Sequence, residues 1–220
     1  MRRPELIAEL AGALIARRPD HPLRVGIDGV CGAGKTTFAS ELAVEIASRG
    51  TPATRIDSDG FHHVRERRYR QGRDSARGYY EDAYDFGALA DLVLLPLGPG
   101  GDLVYATAVH DLATDAVISD AFARAPADAV MVFDATFIQG GVLEGLWDEV
   151  VFLDVDETVA AARGVARDAA ALGGEDAARR AYNARYMAAC RLYLEERKPR
   201  EGASIVIDNT DPAEPVWVSR

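Results

Sequence analysis

Lysine is almost missing from this chain of 220 residues: arginine carries nearly all of its positive charge, and Lys35 and Lys198 are its two lysines. Cysteine is equally scarce. Cys31 and Cys190 make no disulfide framework, which suits a reducing compartment and a cytoplasmic location. No apolar run approaches the roughly 20 residues of a membrane span, so no membrane partner is expected. Basic surface is lacking too. A net charge of −10 argues against a nucleic-acid partner, which would need a broad cationic face. The opening stretch "MRRPELIAELAGALIARR" begins like a signal peptide, but Glu5 and Glu9 interrupt its apolar part. Leu6, Ile7, Leu10, Leu14 and Ile15 recur at helical spacing, which predicts an amphipathic helix over 4–18 packed on the domain.

What the chain does have is "GVCGAGKTTF" at 29–38, a complete G-x-x-x-x-G-K-[ST] pattern through Gly29, Gly34, Lys35 and Thr36. Its setting is the one the pattern needs. "LRVGID" reads as a buried strand before it, and "TTFASELAVEIASRG" reads as an amphipathic helix closed by Gly50. Glycines let the backbone wrap an anion with its N–H groups inward, and the next helix adds its positive end. Gly29, Gly32, Ala33, Gly34, Lys35, Thr36 and Thr37 are therefore expected to bind a nucleoside triphosphate, with ATP and Mg²⁺ as cofactors. Lys35 would reach the terminal phosphates, and the Thr36 hydroxyl would ligate the metal.

Along the rest of the chain strands and helices alternate, with no repeat and no linker. "TPATRIDSD", "DAVMVFDAT", "DEVVFLDVD" and "ASIVIDN" read as strands of a mainly parallel sheet, and 85–95, 157–170 and 175–197 as helices. "DLVYATAVHDLATDAVISD" has the look of a hairpin or extended excursion. The expectation is an α/β, doubly wound, mainly parallel sheet of about five strands flanked by helices, in one domain over 1–220. It carries a small β-rich, substrate-side insertion at about 58–118 and a helical lid at about 163–190. In such sheets ligands lie beyond the carboxyl ends of the strands, which nominates Asp57, Asp59, Asp134, Asp154 and Asp156. Asp134 follows four apolar residues in "VMVFD", the placing of a carboxylate near a Mg²⁺, directly or through water.

These motifs, in this order, resemble the uridine kinase / phosphoribulokinase branch of P-loop kinases, most of all bacterial uridine kinase-like proteins, over about residues 22–212. The resemblance rests on "GVCGAGKTTF", "DSDGFHH", "YATAVHD", "DAYD" at 82–85 and the paired arginines of "ARGVARD". It implies a P-loop NTPase fold and a general base, Asp59, on the 5′-hydroxyl of a pyrimidine nucleoside. It implies Phe61, His62 and Asp82 at the acceptor, Tyr105 and His110 facing the nucleobase, Arg163 on ribose and the reacting phosphate, and Arg167 on the ATP phosphates. Arg179, Arg180 and Arg185 would ride on the lid behind the flexible "ALGGED".

The reading is then an ATP:alcohol phosphotransferase, nucleoside-kinase-like, acting on a small molecule, with a homo-oligomer left open. A kinase of a sugar, a sugar phosphate or a pantothenate-like acid is the near alternative, and an idle nucleotide-binding switch the distant one. Residues 62–73, "HHVRERRYRQGR", hold five arginines against one glutamate. They read either as a solvated helix or as a cationic segment suited to a phosphorylated or acidic acceptor. His62 and His63 are adjacent and lack metal-ligand spacing. Cys31 either fills a variable slot or, at the start of a helix, presents an easily ionised thiol whose chemistry leaves Cys190 uninvolved.

Overall fold

The computed structural model describes residues 1–17 and 19–219. Helix α1, Arg3–Ile15, has Pro4 in its first turn and Glu5 reaching back to the backbone of Arg2. It is three residues shorter at its end than 4–18, and Arg18 lies outside the described residues. Strand β1, Leu23–Gly29, is buried along its whole length and leads through the phosphate-loop sequence into α2, Lys35–Ser48. Strand β2, Ala53–Asp57, ends in a 3₁₀ turn, Ser58–Phe61, in which the Asp57 carboxylate accepts from the amide of Asp59.

The chain then leaves the sheet. Short helices α3 (Arg65–Arg68), α4 (Ala76–Asp82) and α5 (Phe86–Leu89) follow, and α5 runs on as a wider turn over Ala90–Leu94. Strand pairs are nested beyond them: β3 (Val104–Ala106) pairs with β6 (Phe122–Arg124), and β4 (His110–Asp111) with β5 (Ala116–Val117). The excursion therefore closes at about Arg124, later than 118, because β6 must return alongside β3.

Strands β7 (Val130–Asp134) and β8 (Glu149–Asp154) re-enter the sheet. Helix α6, Glu157–Asp168, starts on Asp156, whose carboxylate accepts from the amides of Thr158 and Val159. Helix α7 (Glu175–Ala181) passes through a wide turn, Tyr182–Tyr186, into α8 (Met187–Arg197), then α9 (Pro199–Gly202), β9 (Ile205–Asp208) and β10 (Val216–Ser219). Among the described residues the main sheet has six strands in the order β10-β9-β8-β1-β7-β2. All its pairings are parallel except that of β10 with β9, and β10 is a strand the sequence pattern did not announce.

Alternation along the strands builds one core on each face. In β7, Val130 and Val132 join the layer of α1, α2 and α8, while Met131 and Phe133 join Phe61, Leu89, Val93 and Tyr105 under the excursion. The strand register sets Asp57 beside Asp134 at the carboxyl edge. That edge receives the phosphate loop, the turn after β2, and α6 to α8. No helix among the described residues is long and apolar enough to cross a membrane.

Candidate active site

The loop between β1 and α2 is shaped by three glycines with left-handed or related backbone: Gly29 (φ 148°), Gly32 (φ 81°) and Gly34 (φ 90°). Lys35 folds over it. Its Nζ donates to the carbonyls of Gly29 and Val30 and to the Thr136 hydroxyl, each at 2.9 Å, and it has no carboxylate partner among the described residues. Thr36 donates its hydroxyl to Asp134 at 2.7 Å. A cation without a counter-ion inside a ring of backbone amides suits a polyphosphate. A hydroxyl and a carboxylate oxygen side by side are the hard donors Mg²⁺ takes alongside phosphate oxygens. ATP·Mg²⁺ therefore fits, with Gly32, Gly34, Lys35, Thr36 and Thr37 to hold the nucleotide and Thr36 and Asp134 the metal. Asp134 is almost fully buried, and burial pushes its carboxyl above the usual range even though Thr36 and Arg55 favour the charged form. Arg55 sits two residues before Asp57 on the same face of β2 and contacts Asp134 at 3.0 Å. The i, i+2 spacing of β2 was the signal for it, and the sequence reading passed it over.

A cavity of about 340 Å³ opens from this loop, lined by Gly32, Lys35, Thr36, Asp59, His62, Asp134 and Arg167. Asp59 is exposed into it. His62 hydrogen-bonds through Nδ1 to the carbonyl of Ala83 (2.8 Å), so that nitrogen carries the proton. Nε2 then faces Asp59 at 3.7 Å, and the ring stacks on Tyr84 with centroids 4.4 Å apart. The polar contact with His62 is the main reason the Asp59 carboxyl lies below its ordinary range, with the charges of Arg167 and Arg55 adding to it. Arg167 is braced by Asp168 at 2.8 Å and by the Tyr182 hydroxyl at 3.2 Å.

Other expected site residues lie elsewhere. Phe61 is fully buried against Phe133 and Tyr105 is buried in the same apolar layer, because both fall on the core-facing side of their elements. Asp82 is fully buried and pairs with Arg70 (2.7 Å) and Gln71 (2.8 Å), tying the Arg-rich stretch to α4. Arg163 does not line the cavity and donates to the carbonyls of Asn209 (3.1 Å) and Thr210 (2.5 Å), bracing the loop after β9. Ala33 is buried, and its carbonyl accepts from Asn209. His110 lines a second cavity of about 500 Å³, which meets the first at His62. Its Nε2 contacts Asp115 at 3.1 Å. Tyr69, Tyr79, Tyr84, Thr136, Arg185 and Tyr186 line the first cavity, and the sequence reading named only Arg185 among them, as a lid residue.

Cys31 lies against Cys190: its amide meets the Cys190 sulfur at 3.3 Å, and both thiols are buried. The Cys190 thiol, hydrogen-bonding to Cys31, holds Cys31 below the ordinary thiol range, with Lys35 assisting, and Cys190 is correspondingly raised. Only the thiolate is alkylated, so a lowered pKa moves the onset of reaction to lower pH. Iodoacetamide labelling followed by mass spectrometry is expected to modify Cys31 at lower pH than a free cysteine. In Cys190→Ala the onset should shift upward, and ATP should slow the reaction. An onset indifferent to Cys190 would contradict this pairing.

No protein-family model matches the chain, and no curated protein matches its sequence. Solved structures do. A protein described as a possible uridine kinase from Bacillus stearothermophilus aligns with a TM-score of 0.71 and 22% identity, over 91% of this chain and 96% of that one. A provisionally named fructose transport system kinase from Silicibacter sp. aligns with a TM-score of 0.72 and 23% identity, over 87% and 95%. A D-glycerate 3-kinase from Cryptococcus neoformans aligns with a TM-score of 0.65 and 13% identity, over 99% of each chain. The fold is therefore the α/β fold of P-loop kinases.

Proposed function

We propose that this protein is a small-molecule kinase that transfers the terminal phosphoryl group of ATP to a hydroxyl. The observation that carries the reading is the placing of Asp59 and His62, at the end of β2, in the cavity that also holds Lys35, Thr36 and Asp134. ATP·Mg²⁺ supplies the phosphoryl group and part of the charge neutralisation. Asp59 receives the proton of the acceptor hydroxyl. His62, whose Nε2 lies 3.7 Å from Asp59, favours the charged carboxylate that receives the proton. Lys35 and Arg167 offset charge at the phosphate end, and Tyr84 keeps the His62 ring in plane with its task. A nucleotide switch would have no use for this carboxylate–imidazole pair.

The acceptor is a small molecule. The names of the similar structures point to uridine, to a fructose transport system and to glycerate, three different kinds of hydroxyl compound. A pyrimidine nucleoside acceptor would call for Tyr105 and His110 at its base, and neither lines the cavity of Asp59.

The test follows ³¹P resonances of ATP with uridine, cytidine, sugars, sugar phosphates and hydroxy acids. A new phosphate ester with one of them is expected. Release of inorganic phosphate alone, at the same rate with every compound, would replace the kinase by a nucleotide-driven switch.

A further inference from the structure

The acceptor end of the cavity is crowded with arginine. Around the ring of Tyr69 stand the guanidinium carbons of Arg68, Arg73 and Arg185, at 5.7, 4.9 and 5.1 Å from its centre. Two of them, Arg68 and Arg185, line the cavity with Tyr69. Arg68 is buried and pinned from behind. Its Nη2 meets Asp115 at 3.0 Å, and the same carboxylate oxygen takes the amide of Arg65 and Nε2 of His110. Its Nε is buried with no partner. Arg185 has no ion pair among the described residues. It lies over the rings of Tyr69, Tyr79 and Tyr186 at 5.0 to 5.3 Å, and its Nε is likewise buried and unpartnered.

Buried N–H donors left unpaired are costly, and several guanidinium groups around one ring repel one another. Both costs disappear when an oxyanion enters, because the guanidinium fork matches two oxygens at once. Asp59 is the one carboxylate of the cavity on the turn beside the acceptor, and it is committed to His62. Asp134 is taken by Arg55 and Thr36, and Asp168 by Arg167.

Resting on the kinase reading above, we propose that the acceptor is itself an anion. Its carboxylate or phosphate group is gripped by Arg68 and Arg185, while its hydroxyl faces Asp59. The three tyrosines wall this subsite and hold Arg185 by its flat faces. Arg70, tied to Asp82, has no share in it.

The experiment uses the full chain and matched pairs of acceptors: glycerate and glycerol, gluconate and glucose, pantothenate and panthenol, ribose 5-phosphate and ribose, with uridine as a further neutral compound. The charged member of at least one pair is expected to exceed its neutral partner by at least about tenfold in kcat/KM, the scale of one charge-assisted hydrogen bond. The carboxylate and phosphate pairs show which oxyanion is taken. Arg185→Gln should raise KM for that acceptor by about 10- to 100-fold and KM for ATP by far less, and Arg185→Lys should recover part of the loss. Transfer to uridine or a neutral sugar in preference to every acid would overturn the anionic acceptor and leave the kinase standing. So would an effect of Arg185→Gln confined to ATP. If nothing is phosphorylated, calorimetry on ADP·Mg²⁺-saturated protein decides. Binding of an acid over its neutral partner, lost in Arg185→Gln, upholds the subsite without the kinase, and no such preference removes it.

Discussion

Asp59→Asn is expected to lower turnover by about 10²- to 10⁴-fold, the usual worth of a positioned general base, while ATP affinity changes by no more than a few-fold. The amide keeps the shape and loses the proton acceptor. Among the described residues no hydrogen bond or ion pair joins Asp59 to the phosphate loop, so nucleotide binding has little reason to change. The dependence on pH gives a second reading of the same residue. As the base proposed above, Asp59 would work as the carboxylate, so activity should be lost as pH falls through its folded pKa. Because the contact with His62 holds that pKa below the ordinary carboxylate range, the acidic limb should lie below that range as well. His62→Phe keeps a ring to stack on Tyr84 but removes the polar contact with Asp59, and the limb should move to higher pH. Near-normal turnover in Asp59→Asn on the true acceptor would transfer the role to Asp57, its neighbour at the strand end. An acidic limb that ignores His62 would mean that another group sets it.

The phosphate side of this site was legible in the sequence because its determinants are local. The glycines, Lys35 and Thr36 are fixed by a ten-residue loop whose flanking strand and helix can be read from apolar periodicity. Asp134 came from the end of an apolar strand by the same logic. The acceptor side was much less legible, since it is assembled from residues far apart. Arg68, Tyr79 and Arg185 meet only because the excursion after β2 folds against the turn before α8. Tyr105 and His110 show the limit from the other side. They sit in a recognisable spacing, yet whether they face ligand or core depends on how the β3–β6 pair leans, and it leans so as to bury Tyr105. Arg163 and Arg167, four residues apart, share a helix face in sequence terms, but the loop after β9 captures the first and leaves the second to the cavity. Cys31 and Cys190 are 159 positions apart and meet because α8 packs under the phosphate loop. Strand β10 has only Val216, Trp217 and Val218 to announce it, and two of these are exposed. Sequence periodicity is weak where one edge pairing is all that holds a strand.

Gly32→Ala should be among the most damaging single methyl groups for nucleotide binding. At φ 81° an L-residue costs about 1–2 kcal/mol in backbone conformation alone. The added carbon would also stand 2.0 Å from the carbonyl oxygen of Ala160 and 3.2 Å from the amide of Gly164, which are backbone atoms of α6 and cannot rotate away. Either the loop or the helix has to move. Moving α6 is itself obstructed, because Gly164 lets the Tyr182 ring approach so closely that a carbon there would lie 2.1 Å from it. Loop, helix and the turn before α8 thus form a stack with no slack, and Arg167 is carried on its middle layer. The strain should emerge at the loop, displacing the amides that would face phosphate. A displacement near 1 Å at such a site costs on the order of 10²-fold in rate; that loss is expected in turnover, together with weaker ATP binding by calorimetry. A comparison separates this from backbone strain. Gly50 also has a left-handed φ, 83°, but nothing lies within 4 Å of its added carbon. Gly50→Ala should lower Tm by a few degrees and leave ATP binding untouched. If Gly32→Ala binds ATP as the wild type does, the loop has freedom that its packing on α6 denies, and the coupling of phosphate loop to lid through Gly32 and Gly164 is wrong.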